Sequence, residues 1–96
     1  MGTMITSDTF VHRLDGLVEA RVDSEILALH VEQGKCYAFN VTAAQIWSSL
    51  EEPRRVGEIR DELLANFDVD VETCEQQVVE IIDQLVRQGL VATVST

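Results

Sequence analysis

Apolar residues recur with a period of two in the first part of this chain and with a helical period in the second part. Three segments of the first part, residues 17–22, 25–32 and 35–40, have the pattern and composition of strands. Asp23-Ser24 and Gln33-Gly34 separate them as two-residue turns, and Gly can supply the positive φ that such turns need. The pattern predicts an antiparallel three-stranded meander.

The third of these strands is expected to lie at a sheet edge. Tyr37 and Phe39 share one of its faces, and Cys36 and Ala38 share the other. A simple meander leaves a row of backbone N–H and C=O groups unpaired along its last strand. This strand is short, nearly uncharged and contains no Pro. We therefore expect that another chain can add to it.

A helix over about residues 43–51 follows the meander directly. Thr42 and Gln45 have the T-x-x-Q spacing of a capping box, in which each side chain bonds a free backbone N–H of the first turn. Val41 and Ile46 occupy the positions of a hydrophobic staple. These features predict the start of the helix.

Two more helices are predicted, over about residues 56–67 and 71–87. Asp68 and Asp70 offer N-caps for the last helix, and Gly89 suits the left-handed residue that follows its final turn. The whole chain is therefore expected to be α+β, with an N-terminal three-stranded antiparallel sheet followed by three helices. This order is that of a winged helix-turn-helix fold.

The last helix has more apolar surface than a core contact requires. Its apolar residues recur at helical spacing: Cys74, Val78, Val79, Ile81, Ile82, Leu85 and Val86. At ~100° per residue the last six cover roughly 160°, compared with a stripe of ~100° that suffices to cover a core. One interpretation is a helix buried on both flanks. In the other, the core-facing residues are Val78, Ile81 and Leu85. The residues that then line a groove for a partner are Val79, Ile82 and Val86.

The two ends of the chain carry weaker patterns. Residues up to about Arg13 are polar and patternless, which predicts a frayed end with Phe10 or Val11 in contact with the body of the protein. Residues 1–10 are expected to form a flexible N-terminus with a vector-derived start at residues 1–3. Residues 11–94 are expected to form a single domain, whose last residues, 90–94, read as a short strand or an extended tail. No segment has the length and hydrophobicity of a signal peptide or a membrane span, which predicts a soluble cytoplasmic protein.

Charge and residue chemistry disfavour several classes of function. With 17 acidic and 7 basic side chains, the net charge of −10 repels phosphate backbones and anionic lipid. The last helix would present several carboxylates and only Arg87 to a DNA groove, which argues against a DNA-binding winged helix. Cys36 and Cys74 have no zinc spacing, and the two His residues have no catalytic partners. We expect no cofactor, no metal and no catalysis.

An open strand edge beside a helix with surplus apolar surface is the geometry of β-augmentation, in which an extended peptide joins a sheet. The residues also resemble those of the PqqD family. Four stretches carry this resemblance, within a region from about Val11 to Val91: residues 34–40 (GKCYAFN), 42–47 (TAAQIW), 56–59 (VGEI) and 85–91 (LVRQGLV). Phe39, where relatives commonly have Leu, and Arg55, where many have Ser or Thr, depart from it.

The resemblance implies a peptide chaperone, also called a RiPP recognition element. Such a protein binds the leader of a ribosomally made precursor peptide and presents it to a maturation enzyme. The residues that the resemblance assigns to peptide binding are Cys36, Tyr37, Ala38, Phe39, Val79, Ile82, Asp83, Val86 and Arg87. Trp47 and the Glu51-Glu52-Pro53 loop are more similar to stand-alone members of lasso peptide clusters, whose partner is a separate leader peptidase. The alternative partner is a radical SAM enzyme.

Overall fold

A computed structural model describes residues 5–94 of the chain. Its elements follow one another in this order: β1 (Phe10–Arg13), β2 (Leu17–Val22), β3 (Glu25–His30), β4 (Lys35–Phe39), α1 (Val41–Ser49), β5 (Arg54–Arg55), α2 (Val56–Asn66), α3 (Val71–Arg87) and β6 (Val91–Val94). The α+β class, the meander and the three helices are confirmed.

The meander has the predicted topology, with strand order β2-β3-β4 and antiparallel pairing throughout. Leu27 lies opposite Ala38 and Leu29 lies opposite Cys36. The first turn is the predicted Asp23-Ser24, with Asp23 at a φ of 57°. The second was predicted wrongly as two residues, because β3 ends at His30 and residues 31–34 form the connection, with Gly34 at a φ of 65°. Strand β4 therefore lies at one edge of this sheet.

A second sheet, which the sequence pattern did not predict, joins the two ends of the described chain. Its order is β5-β1-β6, and Phe10 at the start of β1 lies opposite Val94 at the end of β6. The sequence pattern gave no sign of strand β1, although Val11 is fully buried in this sheet. Its partners lie more than 40 residues away in sequence, so no local pattern revealed them.

The segment before β1 also contacts the body of the protein. The carbonyl oxygens of Ser7 and Thr9 accept hydrogen bonds from the backbone N–H groups of Gly57, at 2.9 Å, and Val56, at 3.0 Å. These bonds hold residues 7–9 against the first turn of α2. The proposed vector-derived start at residues 1–3 lies outside the described residues.

The capping box predicted for α1 is wrong, because the helix begins two residues earlier. Asn40 is the N-cap, and its Oδ1 accepts a hydrogen bond of 2.9 Å from the N–H of Ala43. Thr42 and Val41 therefore lie inside the helix, away from cap and staple positions. Asn is a strong N-cap residue, and Asn40 already has the extended backbone of a strand end, so it leads directly from β4 into the helix.

Helix α3 has the bounds that the sequence predicted. Asp70 caps its start by accepting a hydrogen bond from the N–H of Thr73. Gly89 follows its end with a φ of 77°, and Leu90 N–H then bonds the carbonyl of Leu85. These bonds satisfy one otherwise free backbone group at each end of the helix, and the turn at Gly89 directs the chain into β6.

Helix α1 is fixed between the two sheets by Trp47. The indole packs against Phe39 with ring centroids 5.3 Å apart, and its Nε1 donates a hydrogen bond to the carboxylate of Glu19. The guanidinium of Arg13 lies 4.3 Å from the centre of the indole ring. Because α1 starts directly after β4, this anchoring also fixes the position of the β4 edge.

Candidate peptide-binding groove

The candidate site begins at the free edge of β4. Within the described residues, β4 pairs with β3 on one side and with no strand on the other. Phe39 is buried and Tyr37 half-buried on the face toward the helices, whereas Cys36 and Ala38 are exposed on the opposite face. The edge therefore offers free backbone groups in an order that the pleat of the strand fixes.

Helix α3 runs beside this edge and leaves a groove of about 380 Å³ between them. The strand side of the groove consists of residues 36–40. The helical side consists of Ala43, Ile81, Gln84, Leu85 and Gln88. The groove thus combines an apolar floor with the side-chain amides of Gln84 and Gln88 on its helical side, which can both donate and accept hydrogen bonds.

The structure corrects the assignment of faces on α3. Ile82 is 0% exposed and belongs to the core, so it cannot line an open groove. Val79 and Val86 pack half-buried against the core and are not part of the groove wall. Ile81, which the sequence assigned to the core, lines the groove instead. Because ~100° separates successive residues, Val79 and Ile81 lie ~160° apart around the helix. Ile82 therefore cannot contact a peptide without unfolding of the core, whereas the assignment of Val79 and Val86 to peptide binding stays a prediction.

Asp83 and Arg87 form an ion pair one turn apart on α3, with Arg87 Nε 3.0 Å from Asp83 Oδ2. The side chain of Arg87 is 78% exposed and lines a second, open hollow of about 630 Å³ beside the groove. Its other wall includes Lys35 and Tyr37. Asp83 lines neither cavity and Arg87 lines only the second one, so the assignment of both residues to peptide binding stays a prediction.

Six groove residues are absent from the sequence-based assignment: Asn40, Ala43, Ile81, Gln84, Leu85 and Gln88. Three of them follow the i, i+3, i+7 spacing of a single helix flank, which is a detectable signal. Two of these three are neutral amides and therefore lie outside any stripe of apolar residues. A peptide-binding flank contains polar groups as well.

Comparison with known proteins assigns the chain to a family. Residues 25–91 match the family model described as coenzyme PQQ synthesis protein D (PqqD). The chain belongs to the PqqD family. No curated protein matches the chain.

Two solved structures share the fold of this PqqD-family domain. One is TbiB1 in complex with the TbiA(beta) leader peptide, with a TM-score of 0.81, 29% identity, and coverage of 88% of this chain and 99% of that one. The other is a lasso peptide synthetase B1 complexed with its leader peptide, with a TM-score of 0.76 and 18% identity over 85% of this chain and 96% of that one. The second likeness concerns the fold alone.

The PqqD-family domain also has an apolar surface outside the groove. On the face of the meander that points away from the helices, apolar side chains are exposed on all three strands: Val18, Ala20, Val22, Leu27, Leu29, Cys36 and Ala38. Val18 and Leu29, which lie opposite each other, are 58% and 41% exposed. This outer face reaches the β4 edge through Cys36 and Ala38, so it is continuous with the candidate site.

Side chains with catalytic or metal-binding chemistry are not concentrated at the groove. No group of three His, Cys, Asp or Glu side chains that could hold a metal occurs within residues 5–94. Burial raises the pKa of the Cys74 thiol, which donates a long hydrogen bond to the carbonyl of Arg60 inside the protein. In the same part of the chain, no helix is long and apolar enough to cross a bilayer.

Proposed function

We propose that this protein binds the leader segment of a ribosomally synthesised precursor peptide by adding it as a strand to β4. The observation that carries this proposal is the free β4 edge with a groove between it and α3. Support also comes from TbiB1, which has the same fold at 29% identity and whose structure contains the TbiA(beta) leader peptide. Binding, rather than catalysis, is then the role of the domain.

The backbone of residues 36–39 would supply the hydrogen bonds that hold the leader, and the groove would select its side chains. In an added strand every second side chain points toward α3, where it meets Ile81, Gln84 and Gln88. An apolar leader side chain can occupy the space above Ala43 and Leu85. The side-chain amides of Gln84 and Gln88 can form hydrogen bonds with polar leader groups, which the apolar floor of the groove cannot.

Methylating the leader amide nitrogens one at a time tests this mode of binding. Fluorescence anisotropy with labelled TbiA(beta) leader, and with the leader from the gene cluster of this protein, would measure the affinities. We expect weakening at every second position. Each lost hydrogen bond is worth ~1 kcal/mol, or about fivefold in Kd. Side-chain substitutions at the same positions control for methyl bulk. A flat profile, or one with a period of three to four, would contradict strand addition.

A DNA-binding winged helix is the competing function, and the same assay separates the two. A labelled DNA duplex at physiological salt is expected to show no binding, because the net charge of −10 repels phosphate. Tight duplex binding without leader binding would replace the proposed function.

The bound leader would be presented to a separate maturation enzyme in the cytoplasm. We favour the leader peptidase of a lasso peptide pathway, with a radical SAM enzyme as the alternative. The outer apolar face supports a protein partner, because exposed apolar patches of this kind commonly mark interaction sites. Its continuity with the β4 edge would place that partner beside the bound leader.

Substitution of Leu29 by Lys on the outer face tests this arrangement. The cleavage rate of the precursor by the purified peptidase should fall, while leader affinity stays unchanged, because Leu29 points away from the groove. Ala65→Lys, at an exposed position on α2, adds the same single charge away from the outer face and the groove and is the matched control. An unchanged cleavage rate with Leu29→Lys would remove the outer face from the proposal.

A further inference from the structure

The basic side chains of this acidic chain differ in whether they contact other residues of the protein. Five of the seven basic side chains are engaged within the described residues. Arg13 and Arg55 lie over the rings of Trp47 and Phe10; Arg21 and Arg54 donate to Ser48 and Ser49; and Arg60 pairs with Asp61 and Glu75. The other two, Lys35 and Arg87, line one hollow together. Lys35 forms no ion pair with residues 5–94, and Arg87 has only its exposed pair with Asp83.

This hollow is the continuation of the groove. Tyr37 and Gln88 line both, so they mark the point where one leads into the other. Lys35, Tyr37 and Phe39 share the face of β4 that looks toward α3, because the side chains of a strand alternate. From Phe39 to Lys35 the strand advances ~13 Å, at ~3.3 Å per residue. A peptide added along β4 would pass the apolar groove and then the cationic hollow.

We propose that this hollow is a subsite for an acidic side chain, an Asp or Glu of the bound leader, held between the Lys35 ammonium and the Arg87 guanidinium. The proposal rests on the proposed function, since the same added strand reaches both cavities. The guanidinium can take a carboxylate on its two terminal nitrogens while Nε stays near Asp83. The leader carboxylate would displace or share the ion pair between Arg87 and Asp83. That pair is solvent-exposed and therefore weak, so little free energy is lost when the leader binds.

The pleat of the added strand also fixes the spacing that the leader must have. Only every second leader residue points toward α3. The acidic residue therefore lies two or four positions from the apolar residue that occupies the groove at Ile81 and Ala43. Elsewhere the net charge of −10 repels acidic peptides, so the hollow is the place where a leader carboxylate is attracted. The subsite would thus fix the register of the leader on the edge.

A selection from random peptides tests this subsite and requires no leader sequence. A displayed library of random dodecapeptides would be selected on the wild-type protein and on Lys35→Glu/Arg87→Glu. The control, Arg21→Glu/Arg55→Glu, has the same net charge and changes two exposed residues outside both cavities. Wild type and control should enrich Asp or Glu at an even spacing from an apolar residue. The double variant should enrich Lys or Arg at that position.

Synthetic peptides from the selection give the magnitude. Replacing the selected Glu by Gln should weaken binding to wild type about three- to tenfold at low salt, as expected for two exposed charge pairs. The difference should shrink as salt is added. Lys35→Gln/Arg87→Gln, which introduces no new charge, should bind the Glu and Gln peptides equally. Melting temperatures of all variants would confirm that they are folded.

The outcomes separate the two proposals. Enrichment of apolar residues without acidic ones, an acidic residue at no fixed spacing, or an acid preference that survives in the double variant would each overturn the subsite while leaving peptide binding intact. If the wild-type protein enriches no peptide at all, the proposed function itself fails, and the subsite fails with it.

Discussion

Two adjacent isoleucines of α3 allow the groove to be separated from the core by a single pair of variants. Ile82 is 0% exposed and packs in the core, whereas Ile81 is half-buried and lines the groove. The substitutions Ile81→Ala and Ile82→Ala remove the same three carbon atoms from neighbouring positions of one helix. Differences in helix propensity therefore cancel between them.

The two substitutions should differ strongly in their effect on stability. At position 82 the lost transfer free energy is about 2.4 kcal/mol, from ~0.8 kcal/mol for each of three carbons, and the cavity adds to it. A total of ~3 kcal/mol lowers the Tm of a domain of this size by ~12–24 °C, at ~4–8 °C per kcal/mol. At position 81, which is already partly in contact with water, we expect ~1 kcal/mol and a loss of a few degrees.

Leader binding should change in the opposite order. Ile81→Ala removes part of the groove wall and should weaken leader affinity about tenfold, because such contact residues contribute ~1–2 kcal/mol to binding. Ile82→Ala should leave the affinity of the folded protein nearly unchanged. Urea unfolding followed by the fluorescence of Trp47, the single tryptophan, measures stability, and anisotropy with a labelled leader at low temperature measures affinity.

Val79→Ala is the matched control, since Val79 is half-buried on the other flank of α3 and outside the groove. It should cost stability without a loss of affinity. The reasoning is refuted if Ile82→Ala weakens leader binding at unchanged stability, or if Val79→Ala weakens it more than Ile81→Ala does. Either result would place the peptide on the flank that the sequence pattern suggested.

Three further predictions concern the frame that holds the site. Asn40→Ala should destabilise the protein by ~1 kcal/mol in urea titrations, whereas Thr42→Ala should change little, because Asn40 is the cap of α1. Hydrogen bonds from Thr73 lower the pKa of Asp70 below its ordinary 3.8, so the stability that this carboxylate adds is complete above pH 3.8 and is lost as the pH falls below it. Melting curves of Asp70→Asn should lack this acid-side loss. Val11→Ala should cost ~2 kcal/mol in urea if β1 is part of the core, and no loss would contradict that strand.

Local signals in the sequence were sufficient for much of the fold. The bounds of α3 follow from a helical period over seventeen residues, with Asp70 before it and Gly89 after it. The meander follows from turn residues that tolerate positive φ. The resemblance to the PqqD family, carried by residues such as those of β4, was confirmed. These features depend on neighbours in sequence, which is why the sequence alone could predict them.

Competition between local signals was harder to resolve. Thr42 and Gln45 have the spacing of a capping box, yet Asn40 caps α1. Both motifs can start a helix, and the outcome depends on where β4 stops pairing with β3, at Phe39. The end of a strand is set by its partner strand, so the helix start was decided by a contact outside the segment.

The position of the groove was decided by tertiary structure alone. The apolar arc of α3 is wide enough to place the core on either side of its centre, and periodicity cannot tell the two flanks apart. Ile82 packs in the core and Ile81 faces β4, because Trp47 fixes the position of α1 and thereby that of the meander edge. The β1–β6 pairing was equally hidden, since it joins residues about 80 positions apart. Long-range packing thus determined which flank of a correctly predicted helix faces the open strand edge.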